Sequence, residues 1–241
     1  MLHANGYWAG AVWAAALVWS SVALAGDAPG RGPVVMELYT SQGCASCPTA
    51  DAVLRDMSAR DDILALSLHV DYWDYIGWKD SFAKPQFTKR QKAYAVAQDR
   101  RMIYTPQVIV DGTSDVVGNE PMNLAGVIER QKEIPALAAI AVQVKGADVY
   151  LVDLVPLIKA APEALVFLVR YIPSQTVAIT RGENAGRTVE YTNIVTSLDP
   201  IAEWPGTMAQ QIPISVDGPD KAAVIVQERG YGLVLAAARL R

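Results

Sequence analysis

The sequence predicts an α/β domain followed by a small all-β half, on three observations. Apolar runs at Val34–Tyr39 and Ile63–Val70 flank a segment with helical spacing, the pattern of a βαβ unit. Two strand-like runs joined by Asp111-Gly112 precede a further helical segment. From about Ala138 only short alternating or apolar runs remain, separated by turn residues.

Composition sets the outer limits. With 51% hydrophobic and 19% charged residues, the 241-residue chain can bury a sizeable core, which excludes a disordered or collagen-like protein. A net charge of −4 leaves no overall basic character, so no nucleic-acid partner is expected. Leu2 to Gly26 carries no Asp, Glu, Lys or Arg and closes with Ala23-Leu24-Ala25 before Gly26. Small residues in that arrangement suit a signal peptidase, so residues 1–25 are read as a cleaved signal peptide and the body as periplasmic or secreted. An uncleaved anchor is the alternative, because the uncharged run exceeds the roughly 18 residues of a spanning candidate. Only in that case is a membrane partner expected.

VVMELY reads as a strand buried on both faces, and Cys44 and Cys47 follow it at once. In PTADAVLRDMSAR, Ala50, Val53, Leu54 and Met57 recur at helical spacing, with Pro48 in the first turn. ILALSLHV is the second, parallel strand. An insertion, residues 71–101, then crowds Tyr72, Trp73, Tyr75, Trp78 and Phe82 into its opening. Its helix steps through Phe87, Gln91, Tyr94 and Gln98. Lys84, Lys89, Arg90, Lys92, Arg100 and Arg101 are read as a solvated helix face, with a docking surface for an acidic protein as the alternative. QVIVDG and DVVG form an antiparallel hairpin, and NEPMNLAGVIERQK a helix with Asn119 as N-cap candidate, Pro121 near its start, and Leu124, Val127 and Ile128 on one face.

The resulting order, β-α-β, helical insertion, β-β-α, is that of the thioredoxin fold with the dithiol at the start of the first helix. A thioredoxin-like α/β domain is therefore expected over residues 33–135. A small all-β sandwich-like domain is expected over residues 136–241, built from AVQV, VYLVDLV, ALVFLVR, TVAIT, RTVEYTNIV, KAAVIVQER and YGLVLAAARL, with turns at KGAD, PSQ and RGENAG. The join at Glu133-Ile134-Pro135 holds no flexible linker, so the halves should share an interface.

The chemistry rests on the only two cysteines. In an oxidising compartment they form a disulfide, and two cysteines are too few for an all-cysteine zinc site. A helix N-terminus stabilises a thiolate, which makes Cys44 the expected nucleophile and Cys47 the resolving thiol. A purely structural disulfide closing so short a loop would gain the fold little. Thr105-Pro106 precedes a strand where the thioredoxin order places a cis proline, and its backbone would pair with a substrate strand. His69 ends the second strand on the same rim, where it can exchange protons with Cys47 or hold a structural hydrogen bond. Asp74 and Asp80 are read as loop caps. Glu183 and Arg187, beside the GENAG turn, become recognition groups only if that hairpin overhangs the dithiol.

The stretches SQGCASCPTAD, LSLHVDYWDYIGWKD, YTPQVIVDG and RGENAGRTVEYTNIV together resemble a bacterial secreted thioredoxin-like family catalogued as DUF1223, a domain of unknown function. The similarity runs from about Val34 through the C-terminal strands. It implies a thioredoxin-like CxxC at Cys44 and Cys47 and a cis-proline position at Pro106. Ala45 and Thr49 stand where the family usually has serine and often proline, which bears on redox potential and not on the thiols.

The expected function is thus a thiol-disulfide oxidoreductase acting on protein thiols and disulfides at Cys44, Cys47, Thr105, Pro106 and His69, without a cofactor. One alternative is Cu(I) binding by Cys44, Cys47 and His69, a soft ligand set. The other is a binding protein in which the disulfide is inert.

Overall fold

The computed structural model describes residues 30–241. The expected signal peptide, residues 1–25, lies outside them. Strands β1 (Val34–Thr40) and β2 (Ile63–His69) are parallel and linked through helix α1 (Cys47–Ser58). A 3-10 turn at Asp74–Ile76 and helix α2 (Pro85–Ala97) fill the insertion. Strands β3 (Gln107–Val110) and β4 (Ser114–Val117) then form the hairpin, β3 running antiparallel to β1, and helix α3 (Pro121–Glu133) follows. All three helices begin with proline in the first turn and lack a side-chain cap. Proline has no N–H to leave unsatisfied there and its φ is already helical. The N-cap of α3 is Glu120 rather than Asn119.

The C-terminal half supplies β5 (Ala138–Val144), β6 (Val149–Pro156), β7 (Ala164–Ala178), β8 (Thr188–Trp204), β9 (Gln210–Ser215), β10 (Lys221–Glu228) and β11 (Val234–Arg239). They do not build a separate sandwich on residues 136–241. Only β5, β6 and β9 form a small antiparallel sheet. The other four continue the N-terminal sheet in the order β11-β10-β7-β8-β2-β1-β3-β4, joined where Ser67 of β2 pairs with Ile194 of β8. The expected turn at PSQ is also absent. Pro173 lies inside β7, between the paired positions Ile172–Ile194 and Ser174–Thr192. A ladder that skips the proline does not miss its N–H.

Alternation along the strands sorts the core into layers. Val34, Met36, Leu38, Ile63 and Ala65 meet Ala50 and Leu54 of α1 and Leu124 and Ile128 of α3. Farther along the same face, Val166, Val224 and Val226 meet Ile140, Val152 and Ile212 of the small sheet. Opposite, Val35, Tyr39, Leu66, Val169 and Ile225 enclose Phe87 and Tyr94 of α2. Each fully buried Val, Leu, Ile, Met or Phe among them contributes about 1.5–3 kcal/mol by leaving water.

The large sheet curls until β11 returns to the start of β1. Ala237 N–H donates to the Arg31 carbonyl (2.7 Å) and Val234 N–H to that of Asp111 (3.0 Å). Glycine is required at this closure: at φ +79° a Cβ on Gly32 would lie 1.8 Å from the Ala237 oxygen, and at φ +77° one on Gly112 would lie 2.2 Å from the Gly232 oxygen.

Inside the curl sits Arg90, which is 5% exposed, contrary to the solvated face expected for the basic run. Its guanidinium donates to both carboxylate oxygens of Glu37, Nε to Oε2 at 2.7 Å and Nη2 to Oε1 at 2.8 Å. Tyr39, Tyr94 and Gln227 complete the network, and the rings of Tyr94, Phe167 and Tyr231 surround the cation. Burial raises the Glu37 carboxyl, but the charge and hydrogen bonds of Arg90, with Tyr94 and Tyr39, outweigh it and hold Glu37 below the usual carboxylate range.

Candidate functional site

Cys44 and Cys47 are joined as a disulfide at the mouth of α1, with Cys47 as the first helical residue. Cys44 N–H donates to the Ser41 carbonyl and Cys47 N–H to that of Cys44, both at 3.2 Å, so the turn is fixed by its own backbone. Ala45 and Ser46 face solvent, but the cysteines are 1% and 0% exposed.

What covers the disulfide comes from two distant parts of the chain. From the insertion, Trp78 Nε1–H donates to Gln42 Oε1 (2.8 Å), and Trp73 packs on Gly43 while its Nε1–H donates to Thr105 Oγ1 (2.7 Å). Trp73 thereby ties the dithiol loop to the Thr105–Pro106 segment. That peptide bond is cis, and Pro106 lies near Ala50 of α1 across Gly118. From the C-terminal half, the distal β7–β8 hairpin reaches over the dithiol loop. Asn184 at its tip is buried, and Nδ2 donates to the carbonyls of Gln42 (3.0 Å) and Cys44 (2.8 Å). The hairpin does overhang the dithiol, with Glu183 and Arg187 exposed beside it.

Behind the disulfide lies a buried polar cluster. Alternation places Thr40, Ser67 and His69 on the sheet face that carries α1, and Thr40 is the register partner of His69. His69 is fully buried, edge-on to Phe82 and Tyr191, and its Nδ1 lies 2.7 Å from Asp80 Oδ2. Asp80 also accepts from the Gln42 and Phe82 N–H groups, both at 2.8 Å. It is thus a loop cap, as expected, and in addition the anchor of the imidazole. Burial raises the Asp80 carboxyl, but the charge and hydrogen bond of His69 and these two N–H groups prevail and lower it.

Asp51, which sequence reasoning passed over, belongs to the same cluster. It follows Cys47 by one turn on the buried face of α1 and is 4% exposed, and neither carboxylate oxygen has a hydrogen-bond partner. The Thr40 hydroxyl lies beside it without reaching good hydrogen-bond geometry. Burial is the main cause that raises Asp51 from the ordinary 3.8 to about 7; the charge of His69 and the nearby Thr40 pull it down, and Asp80 pushes it up. Thr40 Oγ1, Ser67 Oγ, His69 Nε2 and the Tyr191 hydroxyl are likewise buried without a partner. Burial, with the charges of Asp51 and Asp80, raises Tyr191. The available signal was the spacing Cys47, Asp51, Leu54, which puts a carboxylate on the buried stripe.

His69 makes no hydrogen bond to either sulfur, and among the described residues no three His, Cys, Asp or Glu side chains converge in a group able to hold a metal. Asp51 borders a cleft of about 380 Å³ between α1 and the start of β8, lined also by Pro48, Arg55, Arg187 and Glu190. A more apolar cavity of about 330 Å³, lined by Phe87, Arg90, Phe167 and Tyr231, lies on the α2 side of the sheet, away from the disulfide.

These features define a mixed α/β protein whose one disulfide caps a helix and is backed by buried ionisable groups. The chain belongs to the family described as protein of unknown function (DUF1223), which matches residues 35–227. No curated protein matches it. It is similar to the crystal structure of a structural-genomics target from Agrobacterium tumefaciens, at 28% identity and TM-score 0.74 over 89% of this chain and 96% of that one. HBP35 of Porphyromonas gingivalis shares the fold at 13% identity and TM-score 0.56, over 87% of this chain and 75% of that one.

Proposed function

We propose that the protein is an exported thiol-disulfide oxidoreductase of thioredoxin-like architecture, with Cys44 as nucleophile and Cys47 as resolving thiol. The observation that carries the reading is the Cys44–Cys47 disulfide at the N-terminus of α1. There the unpaired helix N–H groups and the helix dipole favour a thiolate, the species that attacks disulfides. The element order β-α-β, insertion, β-β-α and the position of Pro106 beside α1 support the same architecture. An oxidised pair also fits an exported protein. Because Cys44 is covered, exchange includes an outward movement of the Trp73–Trp78 loop or of the Asn184 tip.

The test is Cys47→Ala expressed in the native exporting cell. Mixed disulfides formed at Cys44 then lack their resolving thiol and accumulate as adducts that a reductant releases. The Cys44→Ala, Cys47→Ala double variant should form none. An absence of adducts, together with a purified disulfide that does not exchange with dithiothreitol, would leave the disulfide as an inert staple.

A further inference from the structure

The cluster of unpartnered groups under α1 needs a physical account. A buried polar group without a partner costs about 1–3 kcal/mol, so six such atoms on five neighbouring side chains are not kept for stability. Among them Asp51 is set one helical turn from Cys47 on the same buried face, where i and i+4 side chains meet. His69 is held from behind by Asp80, which leaves its Nε2 free on the α1 side.

We infer that Asp51 is the proton-exchange partner of Cys47. This rests on the oxidoreductase reading. In the reduced protein the Cys44 thiolate attacks a substrate disulfide, forming a mixed disulfide and releasing the first substrate thiolate. Cys47 S–H then passes its proton to the Asp51 carboxylate, and the Cys47 thiolate attacks Cys44 Sγ. The Cys44–Cys47 bond forms, the second substrate thiolate leaves, and two electrons have moved from the protein to the substrate. Asp51 returns its proton to solvent through the cleft beside Arg187 and Glu190.

The groups that bear on Asp51 come from every neighbouring element: Cys47 and Arg55 on α1, Thr40 on β1, His69 on β2, Asp80 in the insertion, Tyr191 and Glu190 on β8, and Arg187 in the hairpin turn. A carboxyl raised to about 7 suits the role, since a proton acceptor works best when it titrates near the working pH.

The experiment follows reduced protein reacting with dithionitrobenzoic acid in single turnover across a pH series. The first coloured thiolate reports attack by Cys44 and the second reports resolution by Cys47. In Asp51→Asn the second release should slow by about 10²-fold at neutral pH, the usual scale of a lost general base, and its inflection should move up toward that of an unassisted thiol. A variant whose second release follows the wild-type pH profile overturns the assignment. Failure of the wild type to give either release overturns the oxidoreductase reading instead. A second readout follows the infrared carboxyl band of Asp51, assigned by its loss in Asp51→Asn, which should titrate at different pH in the disulfide and dithiol forms of the wild type. The same inflection in both forms means that Asp51 does not sense Cys47, and the relay is wrong.

Discussion

Replacing Asp51 by asparagine should stabilise the disulfide form, and the gain should grow with pH. The carboxyl titrates at about 7 in the folded chain against an ordinary 3.8, so the folded state holds its proton more tightly than the unfolded state. Stability contributed by the neutral carboxyl is therefore fully present below about pH 4 and is lost as pH rises toward 7. Each pH unit across that window costs about 1.36 kcal/mol, so by pH 8 the wild type has given up about 4 kcal/mol. For a chain of this size that corresponds to roughly 8–16 °C in Tm. Asparagine keeps the shape and cannot ionise. Thermal unfolding of both oxidised proteins from pH 4 to pH 9 should give curves that coincide near pH 4, separate as pH rises toward 7 and keep a constant gap above it. Protonation of Glu37 at low pH affects both proteins alike and cancels. Curves with the same gap over the whole range would show that Asp51 carries no buried charge at neutral pH. With the role in exchange proposed above, this loss of stability would be a stability–activity trade-off.

Two further outcomes follow from the packing. Arg90→Met should cost about 3–5 kcal/mol in urea unfolding at neutral pH, because Glu37 stays buried without its partner. The double variant with Glu37→Leu should recover most of this, and a double variant as unstable as the single one would mean that the rings around Arg90, rather than its charge pairing, hold the site. Asn184→Ala removes two buried hydrogen bonds to the dithiol loop and should cost about 1–3 kcal/mol. It should also speed reduction of the disulfide by dithiothreitol, and an unchanged rate would show that the hairpin tip does not gate access.

The N-terminal elements were legible because each has a strong local signature. Apolar runs marked β1 and β2, and prolines marked the first turns of α1 and α3. Nonlocal pairing was not legible. VVMELY reads as one apolar run, which hides Glu37 as a charge facing inward, and its partner Arg90 lies 53 residues away within a run that resembles a solvated face. Likewise, PSQ has the composition of a turn, but β7 runs through it because β8 pairs on both sides of Pro173, at Ile172–Ile194 and Ser174–Thr192. Strand β9, QQIPIS, has too polar an alternation and a proline at Pro213 to announce itself. At the candidate site, Cys44, Cys47 and the Thr105–Pro106 position were legible from spacing and order. Asp51 was not, because its meaning depends on Thr40, His69 and Tyr191 surrounding it in space.

The bond from Asn184 to Cys44 spans 140 residues, and that distance has a consequence for how the protein matures. The cysteines belong to the first quarter of the chain, and the side chains that shut them in are synthesised much later. Until β7 and β8 arrive, the thiols sit at the end of a short βαβ unit with nothing from the C-terminal half over them. In the finished molecule, access to the sulfurs requires displacing a side chain that was made 140 residues after Cys44.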